Sequence, residues 1–225
     1  MLWQAIGAVL PAALAVALSP IPIIGVVLVL AGPRARSAGP AFAIGWVVGL
    51  SAVSVAVLVV AGGASDPDSA SATGVNWLLV GLGVLFLVLA ARRWRTRPRP
   101  GESTELPAWM ATVDHVTPAK AIVLGLALSA ANPKNLALTL AAAASIAEAG
   151  ISTEDEAIAV AVFVVIGSVT VAGAVLFALV APRRSAAPLA TVKQFMSDHN
   201  AVIMMVILLI LGAKLIGDGL GGLGS

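Results

Sequence analysis

Asn132, Pro133, Lys134 and Asn135 stand together inside LSAANPKNLALTLAAAASIA, a stretch otherwise made of Ala, Leu, Ile, Ser and Thr. A proline in a helix removes one backbone donor and crowds the preceding turn, so it frees carbonyl groups. A lysine beside it offers a positive charge and three donors, and the two amides offer both donors and acceptors. This set can bind an anion, carry a coupling charge or reshape a helix. Ser19, Pro20, Ile21 and Pro22 form a second interruption of the same kind in ALSPIPIIGVVLVLAG. Ser129 adds a hydroxyl near the first set.

The chain surrounding these residues is built for lipid. It is 60% hydrophobic and 11% charged, with mean hydropathy +1.04, where a soluble domain carries about a quarter charged residues. A spanning helix needs ~20 mostly apolar residues. Six stretches qualify, at about 4–31, 39–63, 75–91, 120–147, 157–181 and 199–217. The expected fold is all-α and polytopic, with residues 1–225 forming one membrane domain. Residues 5–31 read as a spanning helix rather than a secretory leader, because the apolar run is too long and no basic residue precedes it.

Composition also narrows the chemistry. There is no cysteine, which removes disulfides, thiolate metal sites and thiol redox steps. His115 and His199 fall near expected helix ends and read as solvated side chains. No HExxH motif, nucleophile elbow, phosphate-binding glycine loop or carboxylate cluster is present. The expectation is therefore no enzyme, no catalytic residues, no metal site and no cofactor.

Loop charges give a threading. Arg34 and Arg36 follow the first run. Arg92, Arg93, Arg95, Arg97, Arg99 and Lys120 fall between the third and fourth, and Arg183, Arg184 and Lys193 follow the fifth. The remaining two loops hold acids only, at Asp66 and Asp68 and at Glu148, Glu154, Asp155 and Glu156. Basic loops face the cytoplasm. Both termini are then expected outside and the 92–119 loop inside, with an interfacial segment near Trp109, Met110, Asp114 and His115. Topology accounts for these cations without a nucleic-acid partner. An anionic-lipid patch remains a second reading of the basic loop.

The two interrupted runs belong to a repeat. Laying Pro20 on Pro133 places Ser19 on Asn132, an offset of 113 residues, and the following helices align Gly45 with Gly167 at an offset of 122. Gly83 and Gly212 are what the third and sixth runs share. Residues 1–91 thus resemble 120–217, and three helices per half force opposite orientations. Inverted repeats with broken helices meeting near the midplane are a transporter pattern. Lys134 lies fourteen residues past Lys120, about 20 Å along a helix, so it is expected near the bilayer centre. No acid within a spanning run is available to pair with it. Either it is neutral there, or its partners are backbone carbonyls of the broken first helix or an anionic substrate group. The expected site is Lys134, Asn132, Asn135, Ser19 and Ser129 for binding, with Pro20, Pro22 and Pro133 as gating breaks. Proline kinks and Ser or Asn bridges also occur between membrane helices without further function. Gly45, Gly49, Gly167, Ser168 and Ala172 read as close-packing positions.

Six helices, Ser19-Pro20-Ile21-Pro22 in the first and Asn132-Pro133-Lys134 in the fourth resemble the LysE superfamily of exporters. The nearer likeness is to its GAP branch, the peptidolipid- and sulfolipid-addressing proteins of actinobacteria. It is carried by SPIP, Gly45-Trp46, Pro107 with Trp109, NPKN and Ile166-Gly167-Ser168, and it covers essentially the whole chain. The resemblance implies an inverted three-plus-three topology and export across the cytoplasmic membrane. For the GAP branch it implies help in moving envelope glycolipids or related amphiphiles. Amino-acid exporters of the superfamily carry a Pro-Gly-Pro pattern in helix 1. Here Ile21 stands in place of that glycine, which argues against the same small pocket. Cation exporters and thiol-disulfide relatives use membrane acids or cysteines that this site lacks. The function expected is a secondary exporter of a small or amphiphilic organic substrate. The alternatives are a non-transporting accessory of an envelope-lipid export machine and, less favoured, a divalent-cation exporter. Expected partners are the bilayer and the substrate, and the apolar faces permit a homodimer.

Overall fold

The structure, a computed structural model, describes residues 1–61, 70–95 and 116–223. Among these, all regular structure is helical. The elements are α1 (Leu2–Ala17), α2 (Pro20–Ala31), α3 (Ala35–Ala61), α4 (Ala70–Arg95), α5 (Pro118–Leu126), a π-helical turn (Ala127–Ala131), α6 (Pro133–Glu148), α7 (Thr153–Val180), α8 (Pro182–Asp198) and α9 (Asn200–Leu223). Four helices are long and apolar enough to cross a membrane, and up to six spans result if each bent pair counts as one. The chain is a multi-pass helical membrane protein. The interfacial segment expected around Trp109 and His115, and the acids Asp66 and Asp68, lie outside the described residues.

Both interrupted runs are broken where the prolines stand. α1 and α2 meet at 49°, and the Pro118–Ala131 and Pro133–Glu148 segments meet at 60°. The cause is local. A residue before proline is driven out of the helical region. Ser19 (φ −68°, ψ 113°) and Asn132 (φ −70°, ψ 117°) are both extended, and the following proline then opens the next helix at its first position. Proline alone does not decide a break, since Pro11 and Pro40 lie inside α1 and α3 and those helices continue through them.

Close packing is organised by small residues, as expected where lipid supplies no hydrophobic drive between helices. A Cβ at Gly45 would collide with the Ile122 carbonyl, and one at Gly125 with the Phe42 carbonyl, so α3 and α5 touch backbone to backbone. Gly49 lies against the Ser129 hydroxyl. α4 and α9 cross where Gly83 and Gly212 face each other; a Cβ on either would come within 2.8–2.9 Å of the other's carbonyl oxygen. α1 packs against α7 as α5 packs against α3. Between these contacts Phe42, Trp46, Leu50, Leu138 and Phe163 are fully buried, while Val59, Val60, Val165, Leu176 and Val180 cover the outside.

Three expectations need correction. The linker expected after the fifth run is the helix α8, which carries Arg183, Arg184 and Lys193 and packs on α2 and α7. The third span does not stop at residue 91: α4 continues to Arg95, so Arg92, Arg93 and Arg95 occupy its last turn, where cations suit the helix dipole. The sixth span does not stop at residue 217: α9 continues to Leu223 and carries Asp218, which is ion-paired with Lys214 one turn earlier, and Glu148, expected in a loop, is the last residue of α6.

Candidate functional site

The break in α1–α2 creates the acceptors of the site. In an uninterrupted helix the Val16 carbonyl would take the N–H of residue 20, but Pro20 has none. The Ser19 N–H shifts to Val16 O at 3.1 Å, and Ala15 O is left without a helical partner. Lys134 Nζ donates to Ala15 O at 2.9 Å, across 119 residues of chain. Ala17 O is freed by the same bend, and Thr170 Oγ1 of α7 donates to it at 2.6 Å. Two of the carbonyls freed in the first half are therefore satisfied from the second.

The second break is repaired from within. Asn135 Nδ2 donates to Leu128 O at 2.9 Å, capping a carbonyl at the π-helical turn. Asn132 Oδ1 accepts from the Lys134 N–H at 3.1 Å and so caps α6. Ser129 Oγ bonds Leu126 O at 3.1 Å on its own helix, and Thr139 Oγ1 bonds Asn135 O at 2.8 Å. Ser19 is buried but makes no side-chain capping bond. Of the five expected binding residues, Lys134 alone is seen hydrogen-bonded to the other half, while Asn132, Asn135 and Ser129 bond within their own break.

The charge on Lys134 sits between opposed fields. Its place in the first turn of α6 is unfavourable to a cation, whereas the last turn of α1 presents carbonyls and attracts one. A lysine inside a membrane costs roughly 3 kcal/mol on insertion scales, and a hydrogen bond from a charged group returns about 1.5–3. One bond to Ala15 O nearly offsets the burial. Lys134 is only 7% exposed, and among the described residues its Nζ forms the one hydrogen bond to Ala15 O. Asn135 Oδ1, Ser168 Oγ and Trp46 Nε1 are likewise buried with no partner. The interior thus holds polar atoms without partners as well as the buried Lys134. Two cavities, one between α2 and α8 and one between α3 and α7, are lined by none of the five residues.

Thr170 was not legible as a site residue. It sits two positions after Ser168 in an apolar run, and it is the bend at Pro20 that frees the Ala17 carbonyl it bonds. His199 caps the end of α8, stacked on Phe195 and exposed. Among the described residues no group of three or more His, Cys, Asp or Glu comes together.

No curated protein and no solved structure matches the chain significantly. A family profile does match, over residues 9–221, and its description reads Sap, sulfolipid-1-addressing protein. That span takes in both helix breaks, Lys134 and its partner Ala15, and the glycine crossing of α4 and α9, so the chain belongs to the sulfolipid-1-addressing protein family.

Proposed function

We propose that the protein exports an amphiphilic, anionic envelope lipid across the cytoplasmic membrane by alternating access. The family description supports a lipid as cargo. The observation that carries the mechanism is the Lys134–Ala15 contact: the lysine at one helix break, read here as an ammonium, holds a carbonyl freed by the other. An anionic headgroup is the natural competitor for that ammonium. In this reading Lys134 releases Ala15 O when substrate arrives and the halves rock about the breaks at Pro20, Pro22 and Pro133. Asn132, Asn135, Ser19 and Ser129 line the opened site.

The architecture proposed is six spans in two inverted halves, the arrangement of the LysE superfamily and its GAP branch. The paired bends, the exchange of partners between α1–α7 and α5–α3, and the meeting of Gly83 with Gly212 all support it. The basic helix ends would face the cytoplasm and both termini the outside. No catalytic step is involved.

A second reading is an accessory protein that docks on a lipid-export machine without moving lipid itself. The closed packing around Lys134 favours it. Reconstitution in proteoliposomes separates the two. Export predicts movement of an anionic glycolipid by the wild-type protein and loss of movement in Lys134→Met, with folding retained. Absence of movement by the wild type, with a stable partner recovered from native membranes, would replace export by the accessory role.

A further inference from the structure

α8 places a second lipid-compatible feature at the basic end of the bundle. A groove of about 170 Å³ runs between the final turns of α2 and one stripe of α8. Val27, Leu28 and Leu30 form one wall, and Ala186 and Leu189 the other. Ser185 and Lys193 are its polar lining residues. The Ser185 hydroxyl is already donated to Pro182 O at 3.2 Å. Lys193 forms no ion pair among the described residues, and Asp198, the nearest acid along α8, accepts from Gln194 at 2.8 Å.

The spacing explains the arrangement. Pro182, Ser185, Leu189 and Lys193 recur every three or four residues and share one helix face. A lysine there lays its methylene stem on the apolar wall and keeps its ammonium at the rim. Arg183 and Arg184 are exposed beside that face, and Arg34 and Arg36 follow α2 just beyond the groove. Val192 and Phe195 are exposed as well, at 40% and 52%. A basic helix with apolar flanks lies in the plane of the membrane interface. Walls that suit hydrocarbon, a rim of cations and no lining acid together describe one kind of occupant.

We propose that the groove between α2 and α8 holds a segment of one acyl chain of an anionic membrane lipid, with its headgroup on Lys193. A free anion has no use for the apolar walls, and a zwitterionic lipid leaves the lysine without net complement. The site rests on the membrane character of the chain and requires no transport step.

Native mass spectrometry of the full chain, released from nanodiscs holding equal amounts of phosphatidylglycerol and phosphatidylcholine, tests it. The wild type should retain phosphatidylglycerol in preference. Lys193→Gln should lower that preference about fivefold, the value of one near-surface cation, and Lys193→Arg should keep it. Ala186→Trp should fill the groove and abolish retention. Unchanged retention in Ala186→Trp together with unchanged preference in Lys193→Gln would overturn the site. Should Ala186→Trp misfold, Leu189→Trp supplies a reporter. Its added fluorescence should be quenched more by brominated phosphatidylglycerol than by brominated phosphatidylcholine, and equal quenching would overturn the headgroup assignment. Displacement by inorganic phosphate alone would make the occupant a free anion and refute a lipid. Lys134→Met should retain the lipid while losing export, so failure of the export reading leaves this result standing.

Discussion

Lys134 of α6 donates to the carbonyl of Ala15 in the last turn of α1 at 2.9 Å, and Thr170 of α7 donates to Ala17 two residues further on. Two elements of the second half thus hold the bend where the first half's helix has lost hydrogen bonds of its own. The strength of that hold can be measured. Thr170→Val removes a hydroxyl of nearly equal volume and should lower stability by about 0.6–1.7 kcal/mol, the range for interhelical bonds in membranes. Reversible unfolding in mixed micelles reads this directly, and no loss would mean that water replaces the threonine at Ala17 O.

Lys134→Met is expected to behave differently from Thr170→Val. It deletes a bond but also deletes a buried charge, and the two terms oppose each other at similar size. The net change in stability should stay within about 1 kcal/mol while export is lost. A large loss of stability on the same unfolding assay would make the lysine a structural clamp instead.

The glycines divide by what faces them. Gly45→Ala and Gly125→Ala would drive a methyl into the backbone carbonyls of Ile122 and Phe42, which cannot move without shifting a helix. Each should destabilise by about 1–3 kcal/mol, as overpacking does. Gly81 and Gly173 face open space, and alanine there should be neutral or stabilising by up to about 1 kcal/mol through helix propensity. Thermal shift of the four variants in one detergent checks the contrast.

Asn135 spans the break from within α6 to Leu128 O. Asn135→Leu leaves that carbonyl unsatisfied and should destabilise by about 1–3 kcal/mol. Hydrogen exchange should quicken first in the turn Ala127–Ala131 if the cap acts locally. Uniform quickening across all helices would contradict that.

The absence of cysteine makes threading easy to read. Ser37 and Glu154 are both exposed, at opposite ends of the bundle by the proposed topology. In intact cells Glu154→Cys should react with a membrane-impermeant maleimide and Ser37→Cys should react only after lysis. The reverse pattern would invert the orientation and place the groove beside Lys193 on the outer face.

The sequence by itself determined the solvent, the apolar runs and the two breaks. Each of these is set by local composition or by the restriction that proline imposes on itself and the residue before it. It also narrowed the partner of Lys134 to a carbonyl of the first helix or a substrate anion, because no membrane acid in the expected runs was at hand. What it could not decide is which carbonyl, since Ala15 O becomes free only when Ser19 N–H moves to Val16 O. It equally could not reveal Thr170, an ordinary hydroxyl until α7 packs against the bend. α8 was hidden for a related reason: two prolines and three cations read as a linker, and its packing on α2 and α7, with Ser185 buried and Leu189 half-buried, is not visible in the local sequence. Local chemistry fixes where this backbone must open; only the packing of one half on the other decides what fills the opening.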